Sequence, residues 1–202
     1  MRKATFSGLR WILCNLLCLA SLLSFTGPAF SECTGTNAPE GYAGIEISFT
    51  YQRGTTIASN QLAVWVEDTE GTAVRTLLVT DFTAGRRGYR NRDMSLPAWV
   101  KAADPESMAD PEIDALSGAT PAPGRLVYVW DLTDDAGRVV PPGVYTLHVE
   151  GTLYWESDVV YTAMIDTTHP SEEIAVHIER TSPEDHENEE MITQVSVSVI
   201  PN

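Results

Sequence analysis

The chain has 202 residues, 43% hydrophobic and 20% charged, a balance that excludes wholesale disorder. Its 13 Lys+Arg against 28 Asp+Glu give a formal charge of −15, which argues against nucleic acid as a partner, since binding it means neutralising phosphates with Lys and Arg. Three cysteines cannot build a disulfide scaffold.

Residues 1–31 have the layout of a secretory signal peptide. Arg2, Lys3 and Arg10 form a basic start, Trp11 to Phe25 is an apolar run, and small residues stand at Gly27, Ala29 and Ser31. The run falls short of the roughly 20 residues a membrane helix needs. Cys18 follows Leu17 and Cys33 follows Glu32, so neither has the small preceding residue of a lipoprotein site. Cleavage after Ser31 removes three basic residues and no acidic one, leaving −18, with Cys33 as a lone thiol. The expected compartment is therefore the periplasm, with the signal peptide cleaved. Residues 32–43 are expected as a flexible start and residues 44–202 as one domain.

Strands follow in chain order. Gly44 to Tyr51 alternates apolar and polar residues, as a half-buried strand does. Gln61 to Glu67 and Ala73 to Thr80 are two more, joined by a hairpin turn, Asp68 to Gly71, whose glycine suits positive φ. Arg125 to Asp131 is a fourth. Val144 to Trp155 is a long fifth, expected to bulge or bend near Gly151. Val159 to Asp166, Glu173 to Glu179 and Ile192 to Ile200 complete the set, with an acidic connection from Ser182 to Glu190. Eight short strands separated by turns predict an all-β fold, an immunoglobulin-like β-sandwich.

A short helical insertion, about residues 82–124, interrupts that rhythm. It opens with a basic loop. Arg86, Arg87, Arg90, Arg92 and Lys101 are five of the ten basic residues after position 31. Leu96 to Ala102 predicts a short helix with an early proline. Asp110 to Leu116 predicts another, with Asp110 as cap and Pro111 at the first position. Insertions of this length are more often functional than ordinary loops.

Two motifs carry the functional reading. Trp130 to Tyr145 (WDLTDDAGRVVPPGVY) is a strand end, a turn from Asp134 to Gly137 and a second turn at Pro141 to Gly143. It resembles the hairpin of the immunoglobulin-like module in flagellar hook-capping proteins, with Leu132 where that pattern usually has glycine. The spacing of Asp131, Asp134 and Asp135 is not that of a calcium loop, and turn chemistry accounts for them. Asp114-Ala-Leu-Ser-Gly-Ala-Thr120 is the sharper signal. It resembles the acceptor pattern Asp-x-x-Ser/Thr-Gly-Ala-Ser/Thr of exported proteins that carry FMN covalently. In those families a flavin transferase uses FAD and a divalent cation to join the FMN phosphate to the last hydroxyl residue. The resemblance makes Thr120 the acceptor, with Asp114, Ser117, Gly118 and Ala119 serving recognition. The chemistry needs an exposed hydroxyl, small neighbours that admit another enzyme's backbone, and a segment kept out of a helix; Pro121 and Pro123 suit the last requirement. The competing reading makes Ser117-Gly-Ala-Thr120 a helix C-cap, with Gly118 just past the helix end.

The segments SNQLAVWVED (59–68), TLLVTDFTAG (76–85), LPAWVKA (96–102), DALSGATP (114–121) and VWDLTDDAGRVVPPGVYTLHVEGTLYW (129–155) together resemble the bacterial periplasmic domain of unknown function 2271, over about residues 44–200. The resemblance implies a redox setting, with a flavin transferase and a membrane redox protein as partners. Trp65, Trp130 and Trp155 lie in strand patterns and are expected in the core. Trp99 is expected in the core too, with stacking on an isoalloxazine ring as its alternative use. His148, His169, His177 and His186 show no ligand spacing, and no nucleophile–base constellation, paired metal motif or phosphate loop appears. A stand-alone hydrolase or transferase is therefore not expected. Two classes remain: an electron carrier with covalent FMN on Thr120, and a non-catalytic binding module.

Overall fold

The computed structural model describes residues 41–54, 60–85, 88–153, 157–181 and 191–202. The signal segment, Cys33, Arg86, Arg87, Trp155 and the Ser182–Glu190 connection lie outside them.

The elements are β1 (Tyr42–Tyr51), β2 (Gln61–Glu67), β3 (Ala73–Thr80), α1 (Asp81–Ala84), α2 (Pro97–Ala103), α3 (Asp110–Leu116), β4 (Ser117–Gly118), β5 (Gly124–Trp130), β6 (Val144–Thr152), β7 (Asp158–Asp166), β8 (Val176–Arg180) and β9 (Ile192–Pro201). They form a three-stranded sheet, β5-β1-β9, and a six-stranded sheet, β4-β3-β2-β6-β7-β8. Alternation drives the first. Ile45, Ile47, Phe49 and Tyr51 of β1 point inward and are fully buried, opposite Trp130, Tyr128, Leu126 and Gly124 of β5. The inward rows of both sheets meet in one core that takes in Leu62, Val64 and Val66 of β2, Leu147 and Val149 of β6 and Tyr161 of β7. The fold is thus the expected β-sandwich with a short helical insertion.

The insertion is a third layer on the outer face of the six-stranded sheet. Ala63, Trp65 and Val79 of that face pack against Ala84, Leu96, Trp99, Ala102, Ala103 and Ile113 in a second apolar cluster. Consequently β2 is buried on both faces, from Gln61 through Val66. Its near-continuous apolar sequence reflects this, as in strands covered on both sides.

Several expectations need correction. Two short elements were not foreseen: α1, and β4, which pairs parallel with β3 through Val79–Ser117 and Thr80–Gly118. The penultimate strand is Val176–Arg180 rather than Glu173–Glu179, and β7 starts at Asp158, where a turn was expected. Gly151 does not bend β6: pairing runs unbroken through it, to Leu62 on one side and Val159 on the other. The reason for a glycine is space, since a Cβ there would stand 2.6 Å from Ile192 Cδ1 and 3.5 Å from Met191 Cε. Both neighbours are buried. Gly151→Val is expected to cost about 1–3 kcal/mol by overpacking, with Gly151→Ala milder; denaturant midpoints check the order.

Candidate functional site

The segment ending at Thr120 is built by α3 and β4. The Ala109 N–H donates to Glu112 Oε2 at 2.7 Å, so Ala109 is the cap and Asp110 the first helical residue, one position earlier than expected. Ile113 is buried and Leu116 packs partly against the second core, which fixes the helix on the sheet. The helix stops at Ser117, which is extended at φ −88° and ψ 149°. Ser117 and Gly118 then run along the edge of β3 as β4.

The helix does end with Ser117 as its cap and Gly118 just past it, as the competing reading has it, but Gly118 is not a left-handed capping glycine. A capping glycine takes positive φ, whereas Gly118 is absent from the positive-φ residues and sits in a strand pair. Among the described residues, a Cβ on Gly118 would meet no atom within 4 Å. Neither its backbone nor its packing against those residues asks for glycine there. Ala119 and Thr120 follow, exposed and outside regular structure. Asp114 is exposed, and Ser117 Oγ donates to the Asp114 carbonyl at 3.5 Å. All five sequence-derived residues thus lie on one short surface stretch whose end is an accessible hydroxyl.

Cationic groups follow β3 in the chain. Thr80, the partner of Gly118, leads directly into α1 and from there into the basic loop. The loop folds back on α1: Tyr89 N–H donates to Thr83 carbonyl oxygen at 3.3 Å, and a Cβ on Gly88 would stand 2.0 Å from the Phe82 carbonyl oxygen. The Arg92 guanidinium lies 5.0 Å from the centroid of the exposed Phe82 ring. Arg90 stacks on Tyr89 at 5.5 Å and stands 3.9 Å from Glu106.

A groove of about 440 Å³ runs alongside α3. Met108, Glu112, Ala115 and Leu116 form one wall, Asp135 and Ala136 the other, with Ser107 at one end. The second wall is the turn of the Trp130–Tyr145 motif, docked on β3. Asp135 N–H donates to the Val74 carbonyl at 3.0 Å, Thr76 N–H donates to Asp135 Oδ1 at 2.9 Å, and Arg75 Nη1 donates to the Asp134 carbonyl at 2.8 Å. Burial pushes the Asp135 carboxyl up, against the pull of the Thr76 N–H and Arg75. Asp134 binds its own turn, accepting from Ala136 N–H and Arg138 N–H, and these bonds with the Arg138 guanidinium hold its carboxyl low. Leu132, where the hook-cap pattern usually has glycine, has φ 62°, a conformation glycine adopts without strain. It is buried nonetheless, in the main core.

Two buried carboxyls went unnoticed in the sequence. Glu150 of β6 is fully buried under the insertion; its Oε1 and Oε2 accept the N–H groups of Ala98 and Trp99, each at 2.9 Å, at the start of α2. Asp158 of β7 is 5% exposed and bonds to Glu150. Burial raises both carboxyls, Glu150 well above its ordinary range and Asp158 to about 6; Asp158 pushes Glu150 up further, whereas the bond with Glu150 pulls Asp158 back down. A proton shared between them therefore persists toward neutrality. Glu150 anchors α2, and its place beneath the helix layer makes the pair structural.

Trp99 is fully buried, with its indole N–H 3.3 Å from Thr76 Oγ1, so it is core and cannot stack on a surface flavin. Trp65 stacks on His148 at 4.7 Å, and both reach Glu67, at 2.8 Å from the indole N–H and 3.2 Å from Nε2. Burial lowers the His148 imidazolium pKa, against the pull of Glu67. Among the described residues no group of three His, Cys, Asp or Glu is placed to hold a metal ion, and no helix is long and apolar enough to cross a membrane.

The chain belongs to the family described as Predicted periplasmic protein (DUF2271), whose model matches residues 44–181. That range spans the acceptor-like segment, the groove and the Trp130–Tyr145 hairpin. No curated protein and no solved structure matches the chain.

Proposed function

We propose that this protein is a periplasmic electron carrier whose FMN is attached covalently to Thr120. The observation that supports the reading most is Gly118, a glycine that the fold does not need, two residues before an exposed hydroxyl. Space kept open on the surface of one protein suits the approach of another. Arg90 and Arg92, in the loop that follows α1, add positive charge to the same insertion, which would suit the flavin phosphate of the incoming donor.

The transfer balances with FAD as donor. Thr120 Oγ1 attacks the phosphorus on the riboflavin side, the P–O bond to the other phosphate breaks, AMP leaves, and the hydroxyl proton passes to a base of the transferase. The product is a phosphodiester, heavier than the chain by FMN less water. The ring, once held, accepts one or two electrons from a membrane redox partner, and the protein supplies position and electrostatics. Covalent attachment keeps the cofactor from diffusing away outside the cytoplasm. A body of −18 after signal removal favours a partner with a basic docking face and makes transfer salt-sensitive.

Co-export with a flavin transferase is the test. The purified chain is expected to be yellow and to carry one FMN by intact mass. Gly118→Val is expected to slow flavin addition roughly 10- to 100-fold by displacing the acceptor in the transferase site, while its unfolding midpoint stays within error, because the strand pair tolerates a β-branched residue. A colourless chain beside a control acceptor that is loaded would leave the binding-module reading as the better one.

A further inference from the structure

We infer that the groove between α3 and the Asp134–Gly137 turn is the seat of the isoalloxazine ring carried on Thr120, an inference that rests on the carrier reading above. Three observations point there. Leu116 lines the groove and also ends α3, so only Ser117, Gly118 and Ala119 separate the groove wall from the acceptor. Four residues of extended chain span at most about 14 Å, a length comparable to the ribityl arm plus ring hanging from the phosphate. The groove, at about 440 Å³, falls within the roughly 300–1,000 Å³ of small-molecule sites and mixes apolar walls with few polar groups, as such sites do. Met108, Ala115, Leu116 and Ala136 offer apolar surface to the ring faces, and Asp135 and Glu112 offer carboxyls to its polar edge.

The walls are rigid for a reason independent of any ligand. One is helix α3, fixed by Ile113 in the second core. The other is a turn pinned to β3 by the Asp135 and Arg75 hydrogen bonds. A ring between them is held without closure of a lid, and the acidic edge has an electronic consequence. Carboxylates close to a flavin disfavour the anionic reduced ring, so the seat lowers the midpoint potential relative to exposed FMN.

The test uses the full chain loaded by a flavin transferase, with loading confirmed by mass. Acrylamide is the quencher, because it is neutral and the acidic body does not repel it. Ring fluorescence in the loaded protein is expected to be quenched by acrylamide at least about threefold less than in the flavin-bearing tryptic peptide, since a seated ligand has most of its surface covered. Met108→Trp and Ala136→Trp fill the groove from opposite walls, both outside the acceptor motif. Each is expected to leave the mass gain intact, lower the ring's fluorescence anisotropy and raise its quenching toward the peptide value. Asp135→Asn retains an oxygen for the Thr76 N–H and is expected to shift the midpoint potential upward. A ring as quenchable in the loaded wild type as in the peptide, or one indifferent to both tryptophans, overturns the seat while leaving the carrier reading standing. A chain that gains no FMN overturns both.

Discussion

Thr120→Ala, co-exported with an active flavin transferase, is expected to remain colourless and at its unmodified mass. Alanine has no oxygen to form the phosphodiester, so the loss should be complete. Thr120→Ser keeps the hydroxyl and loses the methyl that restricts its rotamer, so partial loading is expected, measured as the flavin-to-protein absorbance ratio. Ser117→Ala is the informative neighbour. Among the described residues, Ser117 Oγ makes a single long contact, 3.5 Å to the Asp114 carbonyl, so its removal should not disturb the helix end; loading should slow without vanishing. Because Thr120 is exposed and outside regular structure, none of these changes should move the unfolding midpoint, as is usual for surface substitutions. Loss of colour together with loss of stability would mean the residue matters to the fold instead.

The largest stability effect is expected at Glu150. Glu150→Ala leaves the Ala98 and Trp99 N–H groups without their acceptors and leaves Asp158 beside a cavity. A cost of about 2–6 kcal/mol follows from leaving two buried N–H donors unsatisfied, at roughly 1–3 kcal/mol each. Glu150→Gln retains one acceptor oxygen and should cost less. The pair also sets a pH dependence. Asp158 holds its proton up to about 6 in the fold, against 3.8 for the ordinary carboxyl, and Glu150 is raised as well. Between those values the native chain binds more protons than the unfolded chain, so the pair's contribution to stability falls as pH rises. Asp158→Asn removes its share of that slope and, at neutral pH, relieves ionisation of two adjacent buried carboxyls. It is therefore expected to be neutral to stabilising above pH 6 and to flatten the decline below it. Denaturant unfolding from pH 4 to pH 8 measures both; a wild-type contribution that rises across that interval would contradict the shared proton.

How much of this was legible in the sequence depends on the range of the interactions. β2 and β3 fall at their expected positions, and α3 within one residue of its own, because alternation, a turn glycine and an early proline are local signals. β4 is two residues long and exists only through its pairing with β3, about 38 positions away, so no local pattern marks it. Gly151 looked like a break because glycine weakens strands in general, whereas its cause is Ile192, which arrives from the far end of the chain. Glu150, in the run Val149-Glu150-Gly151, reads as an outward charge on an alternating strand. It is outward, and the insertion then covers it; nothing local reports that cover. The acceptor residues Asp114, Ser117, Gly118, Ala119 and Thr120 were readable as a motif. The groove beside them was not, because its second wall, Asp135 and Ala136, comes from a different hairpin.

The most direct measurement is a fragment spectrum of one peptide. Trypsin cutting after Lys101 and Arg125 releases residues 102–125, which hold Ser107, Ser117 and Thr120 as their hydroxyls. From a chain loaded in an exporting host, that peptide is expected to carry one FMN less water, with the fragment ions placing the adduct on Thr120. An adduct on Ser107 or Ser117, or an unmodified peptide from a host whose transferase loads a control acceptor, would contradict covalent flavin on Thr120.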